Sequence, residues 1–326
     1  VVPQDAARPQ LFADVGKYTA LALLFCLTVA LIPALSFITL AFCPLPILIL
    51  VARNGMKVGV ASVIVIAAIL TPLVGITEAV PLLLVTVTLS IGYFLAVERN
   101  LTFAAVMASG TAIIAISLVI FGLLAYQITK VNIIDSQITA ARKDITTLKK
   151  EYKKEYEKQG IPGDQIEEQF QAIDQSVKLL SQVIPAGVII FSIWVSFLDL
   201  TISGYVLRRM QKPIIVTPAF KNWQMPWFFC WGYIVGLAGT FFSGYLGAYQ
   251  KIGLSIGMNF LVVFNLLFLI QGISIIYFYM DKIKLHNAIR ALGIGMIIAI
   301  PLISPMVAWF GLLDIWFNFR KIPAEA

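Results

Sequence analysis

The sequence predicts an all-α fold, a polytopic transmembrane helix bundle of about 8–9 spans carrying an extramembrane antiparallel coiled-coil hairpin. Three observations lead there. The 326-residue chain is 60% hydrophobic and only 13% charged, with a mean hydropathy of +0.90, against roughly 45–50% apolar and about 25% charged for a water-soluble domain. No core of this size can hide that excess, so lipid must cover much of it. Apolar runs approaching the ~20 residues that cross a bilayer recur along the chain. Finally, polarity is concentrated in one stretch, 130–180, whose apolar positions step by three and four.

The opening VVPQDAARPQ lacks the basic-then-apolar order of a signal peptide, so the first apolar run is read as a true span. Runs at 17–34, 37–52, 57–75, 79–97 and 102–127 give an N-terminal bundle of about five helices within 1–129. Runs at 181–207, 226–247, 256–280 and 288–317 give three to four more within 181–326. Pro44 and Pro46 interrupt the second run, and Pro301 and Pro305 are expected to kink or split the last. With a cytoplasmic N-terminus, Arg53, Lys57, Arg99, Arg208, Arg209, Lys212, Lys221, Lys282, Lys284 and Arg290 all fall on the inner side, the positive-inside pattern. Nine spans would leave Arg320 and Lys321 outside. A re-entrant last segment removes that clash.

Residues 130–180 hold nine basic and nine acidic residues, so the net charge of +7 belongs to the membrane bundle and its loops. Val131, Ile134, Ile138, Ala141, Ile145, Leu148 and Tyr152 form one heptad seam, and Ile166, Phe170, Ile173, Val177 and Leu180 a second. Gly160, Pro162 and Gly163 break the helix between them, with Asp164 placed to cap the next. The expected product is an antiparallel hairpin standing outside the bilayer. Trp223, Trp227, Trp231 and Tyr233 follow the basic loop as an interfacial aromatic belt does.

Cys26, Cys43 and Cys230 are odd in number, scattered and apolar in setting, which predicts packing thiols and neither a disulfide framework nor a zinc site. Ala22, Cys26, Ala30 and Ala34 form a small-residue stripe, and Gly232, Gly236 and Gly239 another. Such stripes let helices approach closely in lipid, either within the bundle or against a separate membrane subunit. Polar residues inside apolar runs are the stronger functional signal: Asp199, Asn259, Asn265, Gln271, Asp314 and Asn318. An ionised carboxylate at the bilayer centre costs at least ~2.5–3.5 kcal/mol on insertion scales, so it should face the bundle interior and either find a partner or protonate. A pathway or binding site and an interhelical hydrogen bond, for example Asp199 with Asn265, both meet that requirement. Glu78 is a further candidate at the outer edge of its helix.

Enzyme readings find little footing. Gly253-Leu-Ser255-Ile-Gly257 matches a GxSxG pattern, which needs a strand–turn–helix setting and a histidine within reach. The sole histidine, His286, lies roughly 40 Å away along an intervening helix, so the segment reads as a packing face. No phosphate-binding loop or HExxH motif is present, and one histidine builds no usual zinc or haem site. No cofactor and no metal are therefore expected. The inner basic loops are short and mixed with apolar residues, which suits membrane lipid headgroups and argues against nucleic acid.

The order of features resembles the DUF2232/YybS-like bacterial membrane family, whose function is uncharacterised. The resemblance covers nearly the whole chain: the segment Cys43 to Gly59 with Pro44-Leu45-Pro46, Arg53, Gly55 and Gly59; the insert; Trp223 to Trp227; Asn265 and Gln271-Gly272; and Gly311-Leu-Leu-Asp314-Ile-Trp316-Phe-Asn318-Phe-Arg320. It implies a multi-pass protein of the bacterial cytoplasmic (inner) membrane. That family is in turn distantly similar to the substrate-binding S-components of energy-coupling-factor vitamin transporters, through the first three helices. The likeness would make Ala22, Cys26, Ala30 and Ala34 the positions that dock a coupling subunit. More than six spans and the long hairpin depart from S-components, and no residue carries over as a vitamin ligand.

Two functional expectations follow. One is a transport-related protein that binds a small molecule, of unknown identity, within the bundle at Asp199, Asn265 and Gln271. The other is a non-transporting membrane subunit or scaffold whose hairpin grips an extracytoplasmic or membrane protein partner.

Overall fold

The computed structural model describes residues 4–132 and 179–322, and between them 138, 139, 143, 145, 147, 148, 171, 173, 176 and 177. All regular structure among the described residues is helical. The chain divides into two compact units, Val1–Thr147 with Val188–Thr217, and Leu148–Gly187 with Pro218–Ala326. This differs from the division drawn at 129/130 and 180/181 from polarity. Residues 188–217 join the N-terminal helices because Val195, Leu200 and Leu207 bury themselves among Leu48, Val85, Leu89, Tyr93 and Ile114.

In the first unit, α1 (Gln4–Leu31) gives way at Pro33 to the short α2 (Pro33–Thr39), and a 3-10 turn at Leu40–Phe42 leads into α3 (Pro44–Asn54). Proline is tolerated in a first helical turn, where its missing N–H has no intrahelical acceptor. Then α4 (Met56–Val74) and α5 (Ile76–Glu98) follow through single glycines, Gly55 at φ 88° and Gly75 at φ 90°. These reversals need a left-handed backbone that side chains with a Cβ rarely adopt. Thr102 caps α6 (Phe103–Thr129) by accepting the Ala105 N–H at 3.3 Å. The last helix of this unit is α7 (Ile184–Arg209), from Val188 onward.

The second unit holds α8 (Phe229–Phe241), a 3-10 stretch at Ser243–Tyr249, α9 (Gln250–Lys282), α10 (Asn287–Ala299) and α11 (Ile303–Phe317). The glycine stripe of α8 is spent on α9. Gly232 lies under the Phe264 ring, Gly236 against Leu261, and Gly239 on the backbone of Gly257. The GxSxG segment is thus a packing face, with Gly257 backed on Gly239 and Thr240. Ser255 sits in the second turn of α9, while His286 caps α10 beyond its other end.

Seven helices among the described residues are long and apolar enough to cross a membrane, and an eighth only if α10 and α11, bent by 105°, count as one. The run at 226–247 does not form a full span, because α8 holds only 13 residues, about 20 Å against a ~30 Å hydrocarbon core. Of the hairpin seams, Ile134, Ala141, Tyr152, Ile166 and Phe170 lie outside the described residues. Ile138, Ile145 and Val177 are helical and half-buried, whereas Leu148 and Ile173 are 47% and 41% exposed.

Candidate functional site

Two buried carboxyl groups, one in each unit, sit in contrasting surroundings. In the second unit Asp314 ends α11 with every oxygen occupied. The helix stops because Asn318 takes a left-handed conformation (φ 41°), a common helix terminator. That reversal brings the Phe319 N–H back to Asp314 Oδ1 at 2.8 Å and the Arg320 guanidinium to Asp314 Oδ2 at 2.9 Å. Gln271 Nε2 donates to the same Oδ2 at 3.2 Å, while Gln271 Oε1 accepts the Met225 N–H at 3.0 Å. Arg320 also donates to the Lys221 and Trp223 carbonyls, both at 2.8 Å, and to Ser274 Oγ at 2.7 Å. Both side chains of the ion pair are 0% exposed. Only Arg320 Nε lacks a partner.

Asn318 holds the chain after the turn, donating to the Ile322 carbonyl at 2.8 Å and accepting its N–H at 3.1 Å. Asn259 ties residues 182–186 to α9: its Oδ1 accepts the Ala186 N–H at 2.7 Å, and its Nδ2 donates to the Gln182 carbonyl at 2.8 Å. Asn265 stays apart from both, half-buried beside Tyr233, Trp309 and Phe268. The sequence candidates Gln271, Asp314 and Asn318 therefore converge, and what they build is a polar knot satisfied at all but Arg320 Nε.

Asp199 in the first unit has no such company. It is 4% exposed, and its one hydrogen bond is from Ser203 Oγ at 3.5 Å, one turn along the same helix. Asn265, the partner the sequence suggested for it, belongs to the second unit. Among the described residues, no Lys, Arg or His pairs with this carboxyl.

What surrounds Asp199 is a seam of neutral polar groups. Along α7, Ser192, Ser196, Asp199 and Ser203 step by four, three and four, which is one helix face, and all are buried. The face runs for about 16 Å. Thr86, Ser90 and Tyr93 form a second buried row on α5, which shares its apolar cores with α7. The Tyr93 hydroxyl lies against α7 at Gly204 and accepts the Ile215 N–H at 3.4 Å. Cys26 Sγ contacts Thr86 Oγ1 at 3.7 Å and shares a packed cluster with Cys43. The hydroxyls of Ser192 and Ser90 are occupied locally, donating to the carbonyls of Val188 at 2.7 Å and Thr86 at 2.6 Å. Sequence reasoning found Asp199 but missed these companions, although the four–three–four spacing of hydroxyl residues about a lone Asp was readable.

The small-residue stripe of α1 needs a correction. Ala22 and Cys26 are 0% exposed, packed on Cys43, Ile47, Val51 and Ile66. They face inward and cannot receive a separate subunit. Ala30 is half-buried against the Leu40–Leu82 cluster, and Ala34 alone is exposed.

A helical, multi-pass membrane protein is thus the class that fold and composition define. The chain belongs to the family described as "Predicted membrane protein (DUF2232)", which matches residues 19–315. It is 24% identical over 300 residues to the "Uncharacterized protein YybS" of Bacillus subtilis (strain 168), covering 90% of this chain and 92% of that one. No solved structure matches it.

Proposed function

We propose that the chain is a transport-related membrane protein whose first unit takes up a proton, or another small monovalent cation, at Asp199. The observation that carries this reading is the carboxyl itself, 4% exposed with a single long hydrogen bond and no cationic partner among the described residues. An uncompensated carboxylate in such a place is costly, and several kcal/mol is a fair order of magnitude. The group is therefore at rest only as a neutral acid or as a carboxylate holding a cation. Its hydrogen-bond partner Ser203 is a neutral hydroxyl, which favours neither charge and can accompany both states. The seam runs toward Arg208, nine residues beyond Asp199 or about 13 Å, so loading from that end of α7 is the shorter route. The distribution of basic loops, and a relative from Bacillus subtilis, support a bacterial cytoplasmic membrane with the N-terminus inside.

The test is ion entry into liposomes holding the purified full chain, driven by a potassium diffusion potential. A trapped pH dye reads protons and radioactive sodium reads sodium, so the two sources are separated. Entry should fall to the empty-liposome rate in Asp199→Asn and persist in Thr201→Ala, which alters the exposed face of the same helix. Equal rates in Asp199→Asn and the unaltered protein would overturn the reading.

A further inference from the structure

We infer that α10 and α11 form a re-entrant hairpin rather than a span, latched at its root by Arg320, so that the chain returns to the face from which α10 departs. This rests on the second unit alone and is independent of Asp199.

The long helix α9 is the ruler. Its 33 residues extend about 50 Å, from Gln250 at one face to Lys282 at the other. α10 leaves beside that second end, with Arg290 Nη1 on Asp281 Oδ1 at 2.8 Å and Gly293 against Met280. At its far end Ile297 shares a cluster with Ile273 and Val307, and Ile273 lies only about 12 Å along α9 from Asp281. The chain bends by 105° between α10 and α11. α11 then crosses the middle of α9, where Gly311 sits on the Phe268 carbonyl and Gly272 on that of Val307. Ala308, Trp309 and Leu312 lie beside Asn265.

From there the direction reverses. Asp314 bonds Gln271, Arg320 bonds Ser274, and the Phe319 carbonyl accepts the Tyr279 hydroxyl at 2.9 Å. A helix continuing straight from Val307, at the level of Gly272, would have carried Phe317 about 15 Å further toward the Gln250 end of α9. Instead Phe319 ends three residues from Lys282 on the ruler. Lys221, whose Nζ pairs with Asp281 at 2.8 Å, marks the same rim. Non-helical backbone at membrane depth is tolerated where protein covers it, and the buried Arg320–Asp314 pair closes this hairpin at its root. The arrangement puts Lys221, Lys282, Arg290, Arg320 and Lys321 on one face, as the positive-inside pattern asks.

The test uses single cysteines in the full chain in sealed vesicles. Cys26, Cys43 and Cys230 are buried and set the background. Lys321→Cys should react with a membrane-impermeant maleimide from the side that labels Lys284→Cys, and be protected from the side that labels Lys251→Cys. Labelling of Lys321→Cys together with Lys251→Cys would overturn the hairpin. For the latch, Ala308→Cys, at a position 2% exposed, should gain labelling by a small permeant maleimide when combined with Arg320→Met. Arg320→Lys, which keeps the charge but cannot span the same set of acceptors, gives the same readout should the Met variant not fold. Unchanged labelling of Ala308→Cys in either variant would remove Arg320 as the latch.

Discussion

Asp314 and Asp199 are both carboxyl groups hidden in apolar helices, yet the chain treats them in opposite ways. Around Asp314 it supplies a guanidinium, an amide side chain and a backbone N–H, and the guanidinium is itself anchored on Ser274 and two carbonyls. Around Asp199 it supplies only one long contact from Ser203. A buried ion pair whose hydrogen bonds are nearly complete is part of the architecture, because each partner holds the other in place. A buried acid without a counter-charge contributes nothing comparable to folding, which is the ground on which Asp199 is proposed to bind a cation. The contrast teaches that polarity inside a span is a weak signal until its partners are counted.

The largest effect should come from breaking the satisfied pair. Arg320→Ala leaves Asp314 buried without its counter-charge, and loss of one partner of such a pair typically costs about 3–5 kcal/mol. Thermal unfolding in detergent micelles should show a large drop in the midpoint. The double variant Arg320→Met with Asp314→Leu should recover much of it, since well-packed apolar replacements of buried pairs are often near neutral. A double variant no better than Arg320→Ala would argue against the ion pair as the origin of the loss. Next in size is Gly257→Leu. Its side chain meets the backbone of Gly239 and Thr240, which cannot move aside cheaply, and overpacking of this kind costs roughly 1–3 kcal/mol. Gly244→Leu, at a position with open space around it, should be tolerated far better in the same unfolding assay.

Much of this was legible in the sequence, and the gaps have physical causes. Helix positions followed from apolar runs, and the break at Pro301 from proline chemistry. The 226–247 run was over-read because hydropathy reports composition and cannot see that α8 starts only at Phe229. Asp199, Gln271 and Asp314 stood out because polar groups are rare in such runs. Arg320 was passed over because six residues separate it from Asp314, a spacing that no continuous helix brings together. The left-handed turn at Asn318 makes the contact. The α1 stripe was visible as small residues, but periodicity alone does not say which neighbour a face meets. Here Ala22 and Cys26 meet the chain's own α3 and α4.

The smallest structural effects are expected where the functional ones are largest. Asp199→Asn keeps the shape and removes the ionisable group, and the one hydrogen bond at risk among the described residues is that with Ser203. Interhelical hydrogen bonds in membrane proteins average about 0.6 kcal/mol, and this intrahelical contact is longer than most, so the unfolding midpoint should shift little or rise. Ser203→Ala should be smaller still by the same measure. Ion entry separates the two further: it should be lost in Asp199→Asn and only slowed in Ser203→Ala, which keeps the acid and removes one neutral neighbour. An Asp199→Asn protein as unstable as Arg320→Ala would erase the distinction between the two carboxyls. Asp199 would then be a structural group whose partner is the packed seam itself, and transport would lose its principal support.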